Sequence, residues 1–419
     1  LDRFRQMLAG QKAAFAYSMA ELPGYTGGKV RIELVHDKPI ITPWRRYSRL
    51  EEAIQQEKCE ELQQAGLIEP ADPLNRYASA ATMPARKDEH GQWVERRYCI
   101  DMRAVNAATK PLVGFTPHLP EVLFQKVEGC QFFSTLDLRS GFHQLLLDND
   151  SKKMCAFWWG RSLWQYNRLI YGLRNATAEF QKVMDTVLGE AGLDHCAWAY
   201  VDDVLIASPD METHIKDVQA VLAALHAVGL RVHPGKSVFC ADKVEYLGHV
   251  VTPSGLEPQA AKVAAIANLP VPSSVQQLQS VLGLLNYYRC YLQRFSGQAQ
   301  PLYQLLQKGA AFSWGEQQQQ AYDALKQQLC TPGLALKRAD SSRPFILHTD
   351  WSQHGLGAVL AQLDDEGREY MVACASRSLN VHEKNYTPWK GELLAVVWGV
   401  KSFRPYLHGT HFEVCTDHQ

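Results

Sequence analysis

The spacing of apolar positions changes from segment to segment along this chain, and those changes mark out its elements. In "YSRLEEAIQQEKCEELQQAGLIEP", Leu50, Ile54, Leu62 and Leu67 fall near helical spacing, and Gly66 and then Pro70 close the element. "WVERRYCIDMRAVN" reads as a short β-like run flanked by charge. "CQFFSTLDLRSGFHQLLL" predicts strand, turn and return strand, with Asp137 where the first strand ends. "NATAEFQKVMDTVLGEAGL" has the period of an amphipathic helix, with Asn175 placed to cap it and Gly189 or Gly192 to end it. A strand pair follows around Asp202 and Asp203, then a second amphipathic helix over "METHIKDVQAVLAALHAVGL", terminated by Gly229. "KVEYLGHVVTPSGL" predicts a further hairpin turning at Pro253, Ser254 and Gly255.

From Pro258 to about Pro332 the period is helical, with prolines 270, 272 and 301 at the joints, which predicts a small helical domain. The polar stretch "KRADSSRP" reads as a linker. A fresh α/β pattern starts after it: "FILHTD" as strand, "GLGAVLAQ" as return strand, "KGELLAVVWGVKSFRPYL" as helix and "HFEVCTD" as strand. No internal repeat interrupts this order.

Bulk composition narrows the class and leaves the function open. A chain of 419 residues exceeds what one simple core accommodates, so two or more domains are expected. No apolar run is long enough to span a bilayer, and the charged N-terminus lacks a signal-peptide pattern. An opening Leu in place of Met points to a piece of something longer. The ten cysteines stand singly, without a CxxC pair, which disfavours a zinc module or disulfide framework and suits an intracellular, reducing setting. A formal net charge of −1 provides no global basic footprint, so any nucleic-acid cleft has to be locally basic.

The chemistry concentrates in "YVDDVLIAS", where two adjacent aspartates interrupt an apolar stretch. Neighbours in a regular strand point to opposite faces, whereas in a tight turn Asp202 and Asp203 can converge on one spot. Such a spot repels itself unless a cation sits there or one carboxylate stays protonated. An Asp-rich hairpin turn would account for the pair without any chemistry. Asp137 lies at another strand–turn junction of the same α+β region, and an antiparallel sheet can bring the two junctions together. Three carboxylates there would bind two divalent cations. Mg²⁺ suits such hard oxygen ligands, with Mn²⁺ as a substitute, and the pair would serve in-line phosphoryl transfer.

"LDLRSGFHQL", "YGLRNATAEFQ", "YVDDVLIAS", "HPGKSVFC" and "YLGHVVTPSGL" occur in the order and spacing of the reverse transcriptase motifs of Ty3/gypsy-type LTR retrotransposons, which the chain resembles. "LPVPSSVQQLQSVLGLLNYYRCYLQRFSGQAQPLYQLL" resembles that family's helical thumb, and "HTDWSQHGLGAVLAQ" the start of its RNase H domain. The resemblance implies an α+β right-hand polymerase followed by an incomplete RNase H-like α/β domain. It divides the chain into a lead-in over 1–62, fingers and palm over 63–256, a thumb over 257–335 and an RNase H-like domain over 336–419. Asp137, Asp202 and Asp203 become the metal-binding catalytic triad, and Phe142 a steric gate against a 2′-hydroxyl. The backbone at Ser140 and Gly141 approaches the triphosphate, Arg97 grips it, and Lys87 assists. Tyr171 and Gly172 contact nucleotide and template, Lys236 protonates the leaving pyrophosphate, and Leu247 and Gly248 grip the primer. Where the family usually reads "MPFGLTNAPATFQ", this chain has "LIYGLRNATAEFQ". Ile170 and Thr177 replace prolines and Tyr171 a phenylalanine, changes expected to loosen the nucleotide pocket.

The same resemblance assigns Asp350, Glu392 and Asp417 to a second metal site, for cleaving the RNA strand of a hybrid. The fourth acid is expected beyond Gln419, so little or no RNase H activity is expected of this stretch. The implied partners are an RNA or DNA template, a primer and deoxynucleoside triphosphates, within a polyprotein that also carries protease and integrase. The implied setting is cytoplasmic and particle-associated. Two other readings stay open: a decayed or co-opted element that binds primer–template without polymerising, and a viral relative such as a pararetrovirus polymerase.

Overall fold

The computed structural model describes residues 2–87, 93–94, 96–113, 126–127, 129–340 and 342–416. The chain parts into two compact units, Leu1–Val244 and Glu245–Gln419.

In the first unit, helix α1 (Arg49–Gln64) starts on a capping box: Ser48 Oγ accepts from the Glu51 N–H, and the Glu51 carboxylate accepts from the Ser48 N–H. Its buried face is Gln55, Cys59 and Leu62, whereas Leu50 is exposed. The chain turns at Gly66, whose φ of +67° suits glycine, into β1 (Ile68–Pro70). Strand β2 (Phe132–Asp137) is followed by the hairpin β3 (Ala156–Trp159) and β4 (Ser162–Tyr166), and β1 pairs antiparallel with β4. Then come α2 (Ala176–Glu190), β5 (Ala197–Tyr200), β6 (Asp203–Ser208), α3 (Met211–Ala227) and β7 (Val238–Ala241). These strands form an antiparallel sheet in the order β5-β6-β2-β7. Val204 and Ile206 of β6 share one core with Met184 and Val187 of α2 and with Val218, Val221, Leu222 and Leu225 of α3. Each such side chain stabilises the fold by about 1.5–3 kcal/mol relative to exposure, so the helices hold β6 fixed.

Two local expectations change. The return after Asp137 does not pair with β2; Leu146–Leu147 instead runs parallel to Lys29–Val30, after a 3₁₀ turn over Gly141–Gln144. Asn175 precedes α2 without capping it, because its side chain bonds the Lys110 carbonyl and the Leu112 N–H.

The second unit opens with the hairpin β8 (His249–Thr252) and β9 (Gly255–Pro258). The helices α4 (Val275–Tyr287) and α5 (Glu316–Leu329) follow, and β10 (Leu336–Lys337) adds to β9. A four-stranded sheet is then built from β11 (Phe345–Trp351), β12 (Gly355–Leu363), β13 (Glu369–Ser378) and, after α6 (Pro388–Ser402), β14 (Phe412–Thr416). The order is β13-β12-β11-β14, with β14 parallel to β11. Helix α6 approaches the sheet at Gly399, where a Cβ would lie 3.2 Å from Thr349 and 3.3 Å from Ala358. The ten-residue β13 is absent from the sequence-based reading, and the predicted helix breaks after Ser402, ahead of Pro405. No helix among the described residues is long and apolar enough to cross a membrane.

Candidate active site

Strands β2 and β6 are the two central strands of their sheet, and their register sets Asp203 opposite Asp137. Opposed residues of an antiparallel pair hold their Cβ atoms about 4.5–5.5 Å apart on one face. Two carboxylates therefore meet at the end of the sheet. Asp202 occupies the turn between β5 and β6, where its carbonyl accepts from the Leu138 N–H at 3.0 Å. Only Asp202 lies in the turn proper; Asp203 is the first residue of β6.

That turn requires Val201 at φ +59°, a left-handed conformation that a β-branched residue adopts at a cost of roughly 1–3 kcal/mol. Gln181, wholly buried on α2, compensates: its Oε1 accepts from the Val201 N–H at 2.7 Å, and its Nε2 donates to the Ala199 carbonyl at 2.8 Å. Sequence reasoning missed Gln181. The signal available was a glutamine at a core-facing position of an amphipathic helix, between Phe180 and Met184.

Burial raises the pKa of Asp202, with Asp137 adding to it. Asp203 is pushed up to about 6, first by burial and then by Asp202 and Asp137. The Lys236 ammonium, 3.5 Å from Asp137 Oδ2, offsets only part of this charge. Asp137, Asp202 and Asp203 offer only hard oxygens, the donor type that divalent cations take, and burial with mutual repulsion opposes ionisation of Asp202 and Asp203 until positive charge is supplied.

The neighbouring backbone is fitted closely to the carboxylates. Ser140 has φ +49°, and a Cβ on Gly141 would lie 2.9 Å from Asp202 Cβ and 3.3 Å from the Phe180 ring. Phe142 packs edge-on against Tyr171, with centroids 4.9 Å apart, and against Phe180 at 5.6 Å. His143 bonds the Leu169 carbonyl through Nδ1 at 3.0 Å, and burial pushes its pKa down to about 4. Ile170 is buried, and the Tyr171 ring is braced by Phe142 and His143. Half of Tyr171 stays exposed, and its pKa is raised by burial and then by Asp202 and Asp137. Asn106 Nδ2 holds the Gly172 carbonyl at 2.7 Å, a second support that sequence reasoning missed. Arg97 is exposed. Lys87 falls in the short strand Arg86–Lys87, and its side chain lies outside the described residues.

In the second unit, Leu247 and Gly248 form a two-residue turn, with φ of +48° and +70°. Asp350 lies near the end of β11 and Glu392 in the first turns of α6, while Asp417 falls outside the described residues. Arg294 Nη2 donates to Asp350 Oδ1 at 2.6 Å, an ion pair that sequence reasoning did not foresee. A cleft of about 530 Å³ beside it is lined by Arg294, His348, Asp350, Glu369 and Tyr370, among others.

Residues 87–251 match the family described as reverse transcriptase (RNA-dependent DNA polymerase), and residues 314–414 match the RNase H-like domain found in reverse transcriptase. The chain is 31% identical to the retrovirus-related Pol polyprotein from transposon 297 of Drosophila melanogaster, over 100% of this chain and 38% of the relative. It is 32% identical to the corresponding polyprotein from transposon gypsy of the same organism, over 99% of this chain and 41% of the relative. The chain thus spans about two fifths of the length of these relatives. The foamy viral protease-reverse transcriptase in complex with dsDNA superposes with a TM-score of 0.83 at 21% identity, covering 100% of this chain and 85% of that one. The same viral protein in complex with RNA/DNA hybrid gives 0.81 at 20%, covering 100% and 55%. These structures share the polymerase fold. Residues 87–251 thus match a reverse transcriptase domain and residues 314–414 an RNase H-like domain of the kind found in reverse transcriptases, in that order, and the chain is similar along nearly its whole length to Pol polyproteins of gypsy-type transposons.

Proposed function

We propose that this chain extends a primer on an RNA or DNA template with deoxynucleoside triphosphates, using Asp137, Asp202 and Asp203 to hold two Mg²⁺ ions. One observation carries the reading: the β2–β6 register sets Asp137 opposite Asp203, beside Asp202 in its braced turn. Bound there, the ions supply activation of the primer 3′-oxygen and neutralise charge on the leaving pyrophosphate.

The remaining roles belong to the chain's own side chains. Phe142, fixed between Tyr171 and Phe180, excludes a 2′-hydroxyl. The close approach at Gly141 leaves the Ser140–Gly141 backbone available to the triphosphate, with Arg97 and Lys87 supplying positive charge. Tyr171 and Gly172 contact nucleotide and template, Lys236 delivers a proton to the pyrophosphate, and Leu247 and Gly248 hold the primer. In this reading 63–256 are fingers and palm, 257–335 thumb, and 336–419 an RNase H-like domain. In that last domain Asp350, Glu392 and Asp417 hold divalent cations against an RNA:DNA hybrid. Ten cysteines without a disulfide support an intracellular setting.

Primer extension on an RNA template with a divalent cation tests the proposal. Added deoxynucleotides support it, whereas binding of primer–template without extension would leave a binding protein only.

A further inference from the structure

The Leu247–Gly248 turn is held from one side by a pair of consecutive tyrosines. Both turn residues adopt left-handed φ, as a tight two-residue connection from the short strand Val244–Tyr246 into β8 requires, and Leu247 does so without glycine's freedom. Both of their carbonyls are taken by the C-terminal end of α4. The Tyr287 hydroxyl donates to the Leu247 carbonyl, and the Tyr288 hydroxyl donates to the Gly248 carbonyl at 2.9 Å. A Cβ on Gly248 would meet the Tyr287 ring at 3.2 Å, so the ring also limits where the turn can sit.

The two rings are themselves fixed. They cross edge to face with centroids 5.1 Å apart, and the His249 imidazole stacks on Tyr287 at 5.5 Å. His249 Nδ1 shares a 2.9 Å hydrogen bond with the Tyr291 hydroxyl, and burial holds this imidazole neutral, with its pKa down at about 4. Tyr288, Tyr291 and His249 are buried, whereas Tyr287 is 47% exposed. A tyrosine that spends its hydroxyl on a backbone carbonyl while half its surface faces solvent is not there chiefly to fill a core.

We propose that Tyr287 and Tyr288 are positioning residues for the primer: they lock the Leu247–Gly248 turn to α4, so that the turn and this helix hold the primer end as one piece. The inference rests on the reading of Leu247 and Gly248 as the primer-holding turn. It names the residues that set that turn's position, which neither residue of the turn can do alone. Tyr287→Phe removes one hydroxyl from a half-exposed ring and leaves the packing intact. Tyr288→Phe removes the buried one.

The test uses the whole chain in single-binding-event primer extension with a competitor trap, beside thermal unfolding. Tyr287→Phe is expected to shorten the product made per binding event, about fivefold for one lost hydrogen bond. Its KM for deoxynucleotide should match the native chain and its unfolding temperature should fall by no more than about 2–4 °C, the worth of one hydrogen bond, a split that a merely structural role would not produce. Tyr288→Phe should act in the same direction, and if it unfolds, Tyr287→Phe alone decides. A photocrosslinker, p-benzoylphenylalanine in place of Leu247, reports separately whether the turn touches the primer. Failure to crosslink primer overturns the primer-holding reading, and the inference with it. Crosslinking together with native product length in Tyr287→Phe overturns the tyrosine lock alone.

Discussion

The side-chain oxygen of Gln181 lies 2.7 Å from the backbone nitrogen of Val201, tying the middle of α2 to the turn that presents Asp202. The bond is partly buried, made by a glutamine that is itself fully buried, and it holds a valine in a conformation that valine disfavours. Gln181→Ala leaves the Val201 N–H and the Ala199 carbonyl without these partners, at about 1–3 kcal/mol. Polymerase turnover should fall further than stability does. Adding Val201→Gly, which relieves the positive φ, should restore part of the stability in a double-mutant cycle. Strict additivity of the two changes in chemical denaturation would contradict the coupling.

Asp203 gives the site a pH signature. Its folded-state pKa of about 6 exceeds the ordinary 3.8, so the folded chain binds more protons than the unfolded one between those values. Stability is therefore lost as pH rises from about 4 through about 6. Asp203→Asn removes this loss. In chelator the variant should unfold at a higher temperature than the native chain at pH 7.5, and at a similar temperature at pH 4. A divalent cation should narrow the difference by stabilising the native chain, by about 2.7 kcal/mol at a hundred times its dissociation constant. Equal melting of the two proteins at pH 7.5 without metal would count against the crowded-carboxylate account.

Gly141 tests how closely the backbone is fitted to the carboxylates. A Cβ there stands 2.9 Å from Asp202 Cβ, so Gly141→Ala must displace Asp202. Displacements of this order cost about 10²-fold in rate. Single-turnover extension should show that loss with primer–template affinity retained.

Phe142 is held edge-on by Tyr171 and Phe180, so shortening it should open space under the nucleotide sugar. Phe142→Val should lower the preference for dTTP over UTP, as a ratio of kcat/KM, by about ten- to a hundredfold. An unchanged ratio would remove Phe142 from the gate role.

Arg294 occupies, with its guanidinium, a position against Asp350 where a cation would otherwise be favoured. Arg294→Ala should tighten Mn²⁺ binding at the second unit, read by electron paramagnetic resonance in an Asp202→Asn, Asp203→Asn background that weakens the polymerase site. Weaker Mn²⁺ binding in the variant would show that Arg294 orders Asp350 for the metal and does not compete with it.

Much of this architecture is legible along the chain. Helices α2 and α3 follow from their period, and the stop after α3 from Gly229 at φ +82°. The carboxylates are legible because they stand at strand ends in a recognisable series. Three features are not. Leu146–Leu147 looks like a return strand, but strand pairing is decided by long-range register, and its partner Lys29–Val30 is more than a hundred residues away. Strand β13 hides because its alanines and Arg377 blur the alternation. The supports at Gln181 and Asn106 hide because an amide's role is set by the backbone groups it meets, which local spacing does not specify.

The central claim is that Asp137, Asp202 and Asp203 form one polymerase site. The most direct measurement is extension of oligo(dT) on poly(rA) with dTTP and Mg²⁺ by the native chain and by Asp202→Asn, at matched primer–template occupancy. The account predicts extension by the native chain and its loss in the variant. Equal extension by both, or none by a native chain that binds primer–template, would contradict it.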